Sequence, residues 1–291
     1  MDNLISSVEK YFLPASLDAA RRHLKAGNGG YVLIGGGTGF TFSAPKYIRG
    51  IIDLSKAGLD YITNAGDGIH IGAAAPLGTL LKNPLLKKYC GGVIGESVLT
   101  IATTPLRNLI TVGGNAVQVF IWSSLPVLFL ALDAQFVTIG GRRRIFKADE
   151  FFKSQPRRQM GEEAILKEII LPRQKPSSAA AFLKFSKTET DFALLNIAVY
   201  VSIARNKCHE TRIALGAATP LPIRLTAAEE ALKGEVLTED NIALAAGAGA
   251  DMVNYLKDMR VLDGYKKQAA PALIRRCIQM AVERAKAKSK A

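Results

Sequence analysis

The sequence predicts an α+β chain of two domains, and three observations carry that prediction. Its 291 residues exceed what one average domain needs, and 48% of them are hydrophobic, enough material for two cores. Up to residue 172, short strand patterns alternate with helical ones and with glycine-rich turns. Beyond a polar, proline-bearing stretch at 173–178, three strand patterns are followed by three helical ones, the order of a small antiparallel sheet with a helical layer.

The elements follow in order. Ser16 can cap a helix whose face carries Leu17, Ala20 and Leu24 and which Gly27 can end. Residues 28–30 form a turn and 31–34 a short buried strand, with a second strand at 51–54. Asp67-Gly68 is a tight-turn dipeptide ahead of a strand at 70–74. Leu77, Leu80 and Leu81 start a helix that breaks near Asn83-Pro84. Residues 91–115 are a run of small residues, 125–132 a buried helix and 135–139 a strand turned by Gly140-Gly141 into 142–146. A strand at 165–171 ends at Pro172. The later strands fall at 181–185, 195–204 and 211–216, and the helices around 227–232, 239–253 and 271–286.

Composition narrows the function. No stretch approaches the roughly 18 apolar residues of a membrane span, and residues 1–12 lack the basic start and apolar core of a signal peptide. The expected location is cytoplasmic. Three widely spaced cysteines, Cys90, Cys208 and Cys277, suit reduced thiols, and they are too few for an iron–sulfur cluster held by this chain alone. His23, His70 and His209 show no metal-ligand spacing, so no metal site is expected. The net charge of +13 is scattered, without a zinc finger, an RNP-type motif or a basic heptad helix. Nucleic acid is not an expected partner.

Two segments carry chemistry. Gly35-Gly36-Gly37-Thr38-Gly39 follows a strand directly. Glycines let successive N–H groups converge on an anion, and Thr38 adds a hydroxyl, so the run suits a diphosphate. Its spacing is neither the dinucleotide GxGxxG nor the Walker GK[ST] pattern. The second segment is Thr111-Val112-Gly113-Gly114-Asn115, preceded by Arg107-Asn108. Thr111 and Asn115 can bond ribityl or phosphate oxygens, and Arg107 can pair with a phosphate or with a buried acid. Each segment alone also fits a structural turn. Together they suggest a long ligand pinned at two places.

At this point the chain resembles the flavin subunits of the molybdenum hydroxylases, the xanthine dehydrogenase family. Those subunits read AGGT after the first strand, then a GA segment, IRNxATxGGN and PxLLALxA. Here the corresponding runs are IGGGT at 34–38, IGAAAP at 71–76, LRNLITVGGN at 106–115 and PVLFLALDA at 126–134. Glu163 with 165–172 is similar to the family's EEILxxIxIP, 181–193 to its FxKxxxRxxxDxA, and 214–224 to its GxxAxxPxR. The match spans nearly the whole chain in one order.

The resemblance implies a two-lobed FAD-binding domain of the vanillyl-alcohol-oxidase (PCMH) type at 1–172, with lobes of about 1–54 and 55–172, plus a smaller C-terminal α+β domain at 177–291. It implies non-covalent FAD held by Val32, Leu33, Ile34, Gly35, Gly36, Gly37, Thr38, Gly39, Thr111, Val112, Gly113, Gly114 and Asn115. Leu166 would pack near the isoalloxazine, and Lys184 would stand beside the flavin ring, where a cation favours the anionic reduced form. No general acid or base is expected. The implied role is an oxidoreductase subunit passing electrons between 2Fe–2S clusters of one partner subunit and NAD or another acceptor. A second partner would carry the molybdenum cofactor.

Three departures stand against the family pattern. Gly39 and Ser124 occupy positions that are often acidic, though Ser124 can still bind the cofactor by a hydrogen bond to a ribityl hydroxyl, and the arginine usual after FxK is missing from 184–191. The alternatives are a stand-alone FAD oxidase of the same wider fold, and a basic adaptor that has lost FAD.

Overall fold

The computed structural model of the chain describes residues 8–40, 48–262 and 264–290. The reading of residues 1–12 therefore falls partly on residues 1–7, outside the described residues, as does Ala291 at the end of the basic tail.

Strands β1 (Lys10–Phe12), β2 (Tyr31–Ile34) and β3 (Gly50–Asp53) form a parallel sheet in the order β1-β3-β2. Helix α1 (Leu17–Ala26) packs on it through Ala20 and Leu24, beside Ile52 and Leu54. Ser16 caps that helix by accepting from Ala19 N, and Gly27 closes it, as the sequence pattern requires. β1 was not visible in the sequence, since three residues are too few for a period-two pattern.

The second sheet is antiparallel, in the order β4-β5-β8-β6-β7: β4 (Ile62–Ala65), β5 (Gly68–Gly72), β6 (Gln135–Ile139), β7 (Arg143–Lys147) and β8 (Ile165–Pro172). Ala65 pairs with Gly68, so the hairpin turns at Gly66 and Asp67, one residue earlier than the Asp67-Gly68 dipeptide suggests. Gly68 is already strand, at φ +152°, and a side chain there would run into the Leu171 carbonyl of β8.

Between β5 and β6 lie α2 (Leu77–Lys82), α3 (Pro84–Lys88), α4 (Val93–Leu99), α5 (Thr104–Arg107), α6 (Val112–Gln118) and α7 (Ser124–Ala131). α8 (Ala148–Phe151) and α9 (Pro156–Met160) join β7 to β8. The small-residue run at 91–115 is thus largely helical. Its glycines and threonines hide the periodicity, and the helices form because Val93, Ile94, Val98 and Val112 bury into a shared core. α7 is buried on every side, which is why its sequence has an apolar run without an amphipathic stripe.

The third sheet is antiparallel, in the order β12-β11-β10-β9: β9 (Ser178–Phe185), β10 (Leu195–Ala204), β11 (Lys207–Gly216) and β12 (Ile223–Arg224). Its two faces separate by strict alternation. Ala180, Phe182, Ala198, Tyr200 and Ala214 join the core under α4 and α7. Ala179, Ala181, Ile197, Val199, Ile213 and Leu215 pack on α10 (Thr226–Leu232), α11 (Glu239–Asp251) and α12 (Tyr265–Lys290). Burial on both faces explains the unbroken apolar runs of these strands. α12 presents Ala270, Ile274, Cys277, Ile278, Ala281 and Ala285 as its buried stripe. It also reaches back across the molecule, where Arg284 meets Glu96 of α4 at 2.7 Å.

The three cysteines are buried and free. Burial pushes the Cys90 thiol up to about 12 and Cys208 to about 11, so both serve as packing residues. Among the described residues no helix is long and apolar enough to cross a membrane, and no cluster of three His, Cys, Asp or Glu residues forms a metal site.

Candidate functional site

Both glycine segments converge on one cleft of about 440 Å³. Its first wall is the end of β2 and the loop behind it, with Val32, Leu33, Ile34, Gly35, Gly36, Gly37, Thr38 and Gly39 all in the lining. Thr111, Gly114 and Asn115 face it from the start of α6, Ser124 from the first turn of α7, and Lys184 from β9. Gly113 and Leu166 instead line a smaller adjoining cavity, which shares Leu33, Ile34, Gly35, Thr111 and Gly114 with the larger one. Val112 is fully buried in the core and lines neither.

The two segments differ in what they offer. The second reads as a loop in sequence but is the cap and first turn of α6. Its amides are taken: Val112 N donates to Ala75 O, Gly113 N to Ala73 O, Gly114 N to the Thr111 hydroxyl and Asn115 N to Thr111 O. Gly113 is a glycine because a β-carbon there would press on Ala73. In the first segment, the N–H groups of Gly36, Gly37 and Thr38 meet no acceptor among the described residues. Consecutive free amides beside a cleft form an anion cradle. Gly37 holds φ +69°, and an added β-carbon there would meet open space. A further polar group lines the site: Asn115 Oδ1 is buried with no hydrogen bond among the described residues.

Arg107 does neither of the things its position suggests. Its guanidinium donates to the carbonyls of Leu99, Ile101 and Ala102 and to the Thr104 hydroxyl. It is a clamp that shapes the loop at 99–104, and Thr100, Ile101, Ala102 and Thr103 of that loop form another cleft wall.

Lys184 is half-buried and bonds the carbonyls of Thr100 and Glu189, each at 2.9 Å. Burial lowers its pKa, against the pull of Asp191 and Glu189. Its Nζ has carbonyl oxygens on two sides. Ser124 is buried, its hydroxyl 3.4 Å from that of Thr100.

Sequence reasoning missed the aromatic wall. Phe120, Trp122 and Phe192 stack in series, with centroids 5.1 and 4.2 Å apart, and all three line the cleft. Trp122 belongs to the loop after α6, whereas Phe192 comes from the segment between β9 and β10. That segment is held by Arg260, which donates to the carbonyls of Phe192 and Ala193 and is itself fixed by Asp258. A long planar ligand with an anionic middle suits this cleft: apolar and aromatic surfaces, free amides and the basic side chains of Lys184 and Arg157.

Comparison with known proteins agrees. Residues 6–174 match the family described as the FAD binding domain in molybdopterin dehydrogenase, and residues 180–281 match the CO dehydrogenase flavoprotein C-terminal domain. The chain is 26% identical to the nicotine 6-hydroxylase medium subunit of Paenarthrobacter nicotinovorans, over 92% of this chain and 95% of that one. It is 26% identical to the carbon monoxide dehydrogenase medium chain of Hydrogenophaga pseudoflava, over 82% and 83%. A solved structure of the carbon monoxide dehydrogenase from Hydrogenophaga pseudoflava superposes with a TM-score of 0.89, covering 95% of this chain and 98% of that one at 26% identity. Quinoline 2-oxidoreductase from Pseudomonas putida 86 shares the fold, with a TM-score of 0.86 at 23% identity. The expected architecture, an FAD-binding domain followed by a smaller α+β domain, holds. The chain belongs to the FAD-binding family of the molybdopterin dehydrogenases and is an oxidoreductase flavin subunit of the molybdenum hydroxylase class.

Proposed function

We propose that this chain carries electrons between 2Fe–2S clusters on a partner subunit and a terminal acceptor, NAD or another, while a second partner holds the molybdenum cofactor and selects the substrate. FAD, when bound, supplies the exchange between single-electron and two-electron carriers. The domains would divide at 1–172 and 177–291, with the cleft lined mostly by the first and completed by Lys184 and 190–193 of the second.

The observation that carries this reading is the run of free N–H groups at Gly36, Gly37 and Thr38. They would hold the FAD diphosphate. Asn115 Oδ1, buried and without a partner, would accept from a ribityl hydroxyl. Thr111 would act by shaping, since its hydroxyl already caps α6. Ser124 and Lys184 would face the flavin end of the ligand, and Leu166 would pack against it from the smaller cavity. The Lys184 cation, fixed by two carbonyls, would stabilise negative charge developing on a reduced ring. The aromatic wall of Phe120, Trp122 and Phe192 would exclude water from one side.

Trp122 is the chain's single tryptophan and lines the cleft, so its emission reports on the site. FAD added to the flavin-free chain should quench that emission to saturation at one flavin per chain. Pull-down from native extract should recover a cluster-bearing subunit, less of it as salt rises, because exposed charge pairs are screened. Recovery of a lone flavoprotein, fully active on its own substrate, would favour the stand-alone oxidase instead.

A further inference from the structure

We propose that Arg157 supplies the cation that neutralises the diphosphate of the bound flavin nucleotide. This rests on the reading of the cleft as the FAD site. Arg157 opens α9 behind Pro156, and it lines both the large cleft and the smaller cavity, at the junction they share with Gly35.

The case is one of charge. A diphosphate brings two negative charges, and the free amides of Gly36, Gly37 and Thr38 are neutral. The amides of the second glycine segment are already bonded. Of the two basic residues in the large cleft's lining, Lys184 is held by the carbonyls of Thr100 and Glu189, near Asp191, at the end assigned to the flavin ring. Arg157 is exposed, and among the described residues it has neither a hydrogen bond nor a carboxylate within ion-pair distance. A guanidinium left free in the lining of the cleft that also holds these amides can offer its fork of donors to phosphate oxygens. Neither the glycine motif nor the family-like runs include this position.

The test is titration of the flavin-free chain with FAD and with riboflavin, read by Trp122 emission at several ionic strengths. Arg157→Gln should weaken FAD by about tenfold at low salt, with the penalty shrinking as salt rises. Riboflavin, which has no phosphate, should bind wild type and variant alike. Arg157→Lys should recover part of the loss. Unchanged FAD affinity would overturn the proposal. So would a penalty that is equal at all salt concentrations or shared by riboflavin, since that marks a structural role. Absence of FAD binding by the wild-type chain would defeat the cleft reading itself, an outcome distinct from the other two.

Discussion

The carbonyl of Leu109 occupies the space where a side chain on Gly36 would stand. Next to it, a β-carbon on Gly35 would lie 2.5 Å from the Thr111 hydroxyl, the same oxygen that accepts from Gly114 N. The two glycine segments are therefore packed on each other, and the cradle exists only because the first can lie flat on the second.

Gly36 and Gly37 should then behave differently. Gly36→Val must push Leu109 away and separate the two segments. It should destabilise the chain by about 1–3 kcal/mol, as overpacking does, and lose FAD. Gly37→Ala meets no atom but keeps a left-handed backbone, a strain of about 1–2 kcal/mol. It should keep the fold and lose part of the flavin. Urea unfolding beside flavin content per chain separates the two. Equal stability of Gly36→Val and wild type would refute the packing of the segments.

FAD should leave the protein without bond cleavage. The lining of the cleft contains no cysteine or histidine among the described residues, so no side chain there is suited to a covalent flavin link. Acid precipitation should release all the flavin to the supernatant. Flavin retained in the pellet would contradict this.

Arg260 ties two backbone carbonyls, those of Phe192 and Ala193, at 2.8 and 2.9 Å. Arg260→Ala should cost about 1 kcal/mol, modest because part of the guanidinium is in water. It should also free Phe192 from Trp122. Hydrogen exchange at 190–193 should rise, and Trp122 emission should shift in the flavin-free chain. Unchanged exchange there would exclude the clamp.

Stability should peak in mildly acidic solution because of a network on the second sheet. Glu168 accepts from Tyr61 at 2.6 Å, and His70 lies 3.2 Å from Glu168 and 2.8 Å from Asp67. Burial works to raise the Glu168 pKa, but the bonds from Tyr61 and His70 prevail and hold it below its ordinary 4.5. Burial likewise works to lower His70, but Asp67 and Glu168 prevail and lift it above 6.5. The Glu168 contribution is complete above 4.5 and is lost as pH falls through its lower folded value. The His70 contribution is complete below 6.5 and is lost as pH rises through its higher folded value. Both are present between these limits. His70→Gln should flatten the alkaline decline in urea midpoint, and a variant declining as steeply as wild type would sink the assignment.

The sequence by itself determined the class of fold and the order of most strands. Apolar runs at 195–204 and 165–172, the cap at Ser16 and the break at Asn83-Pro84 are local signals, and local physics honours them. It also marked both glycine segments. Only the tertiary structure decided what each segment does. Whether an amide is free depends on which carbonyl lies against it, and Ala73, Ala75 and Thr111 use up those of the second segment. Arg107 looked like an anion ligand until the loop at 99–104 folded around it. Phe120, Trp122 and Phe192 form one wall though the last lies 70 residues beyond Trp122, and Arg157 reaches the cleft from a helix with no motif. Such relationships are set by packing between distant segments, and no spacing along the chain encodes them.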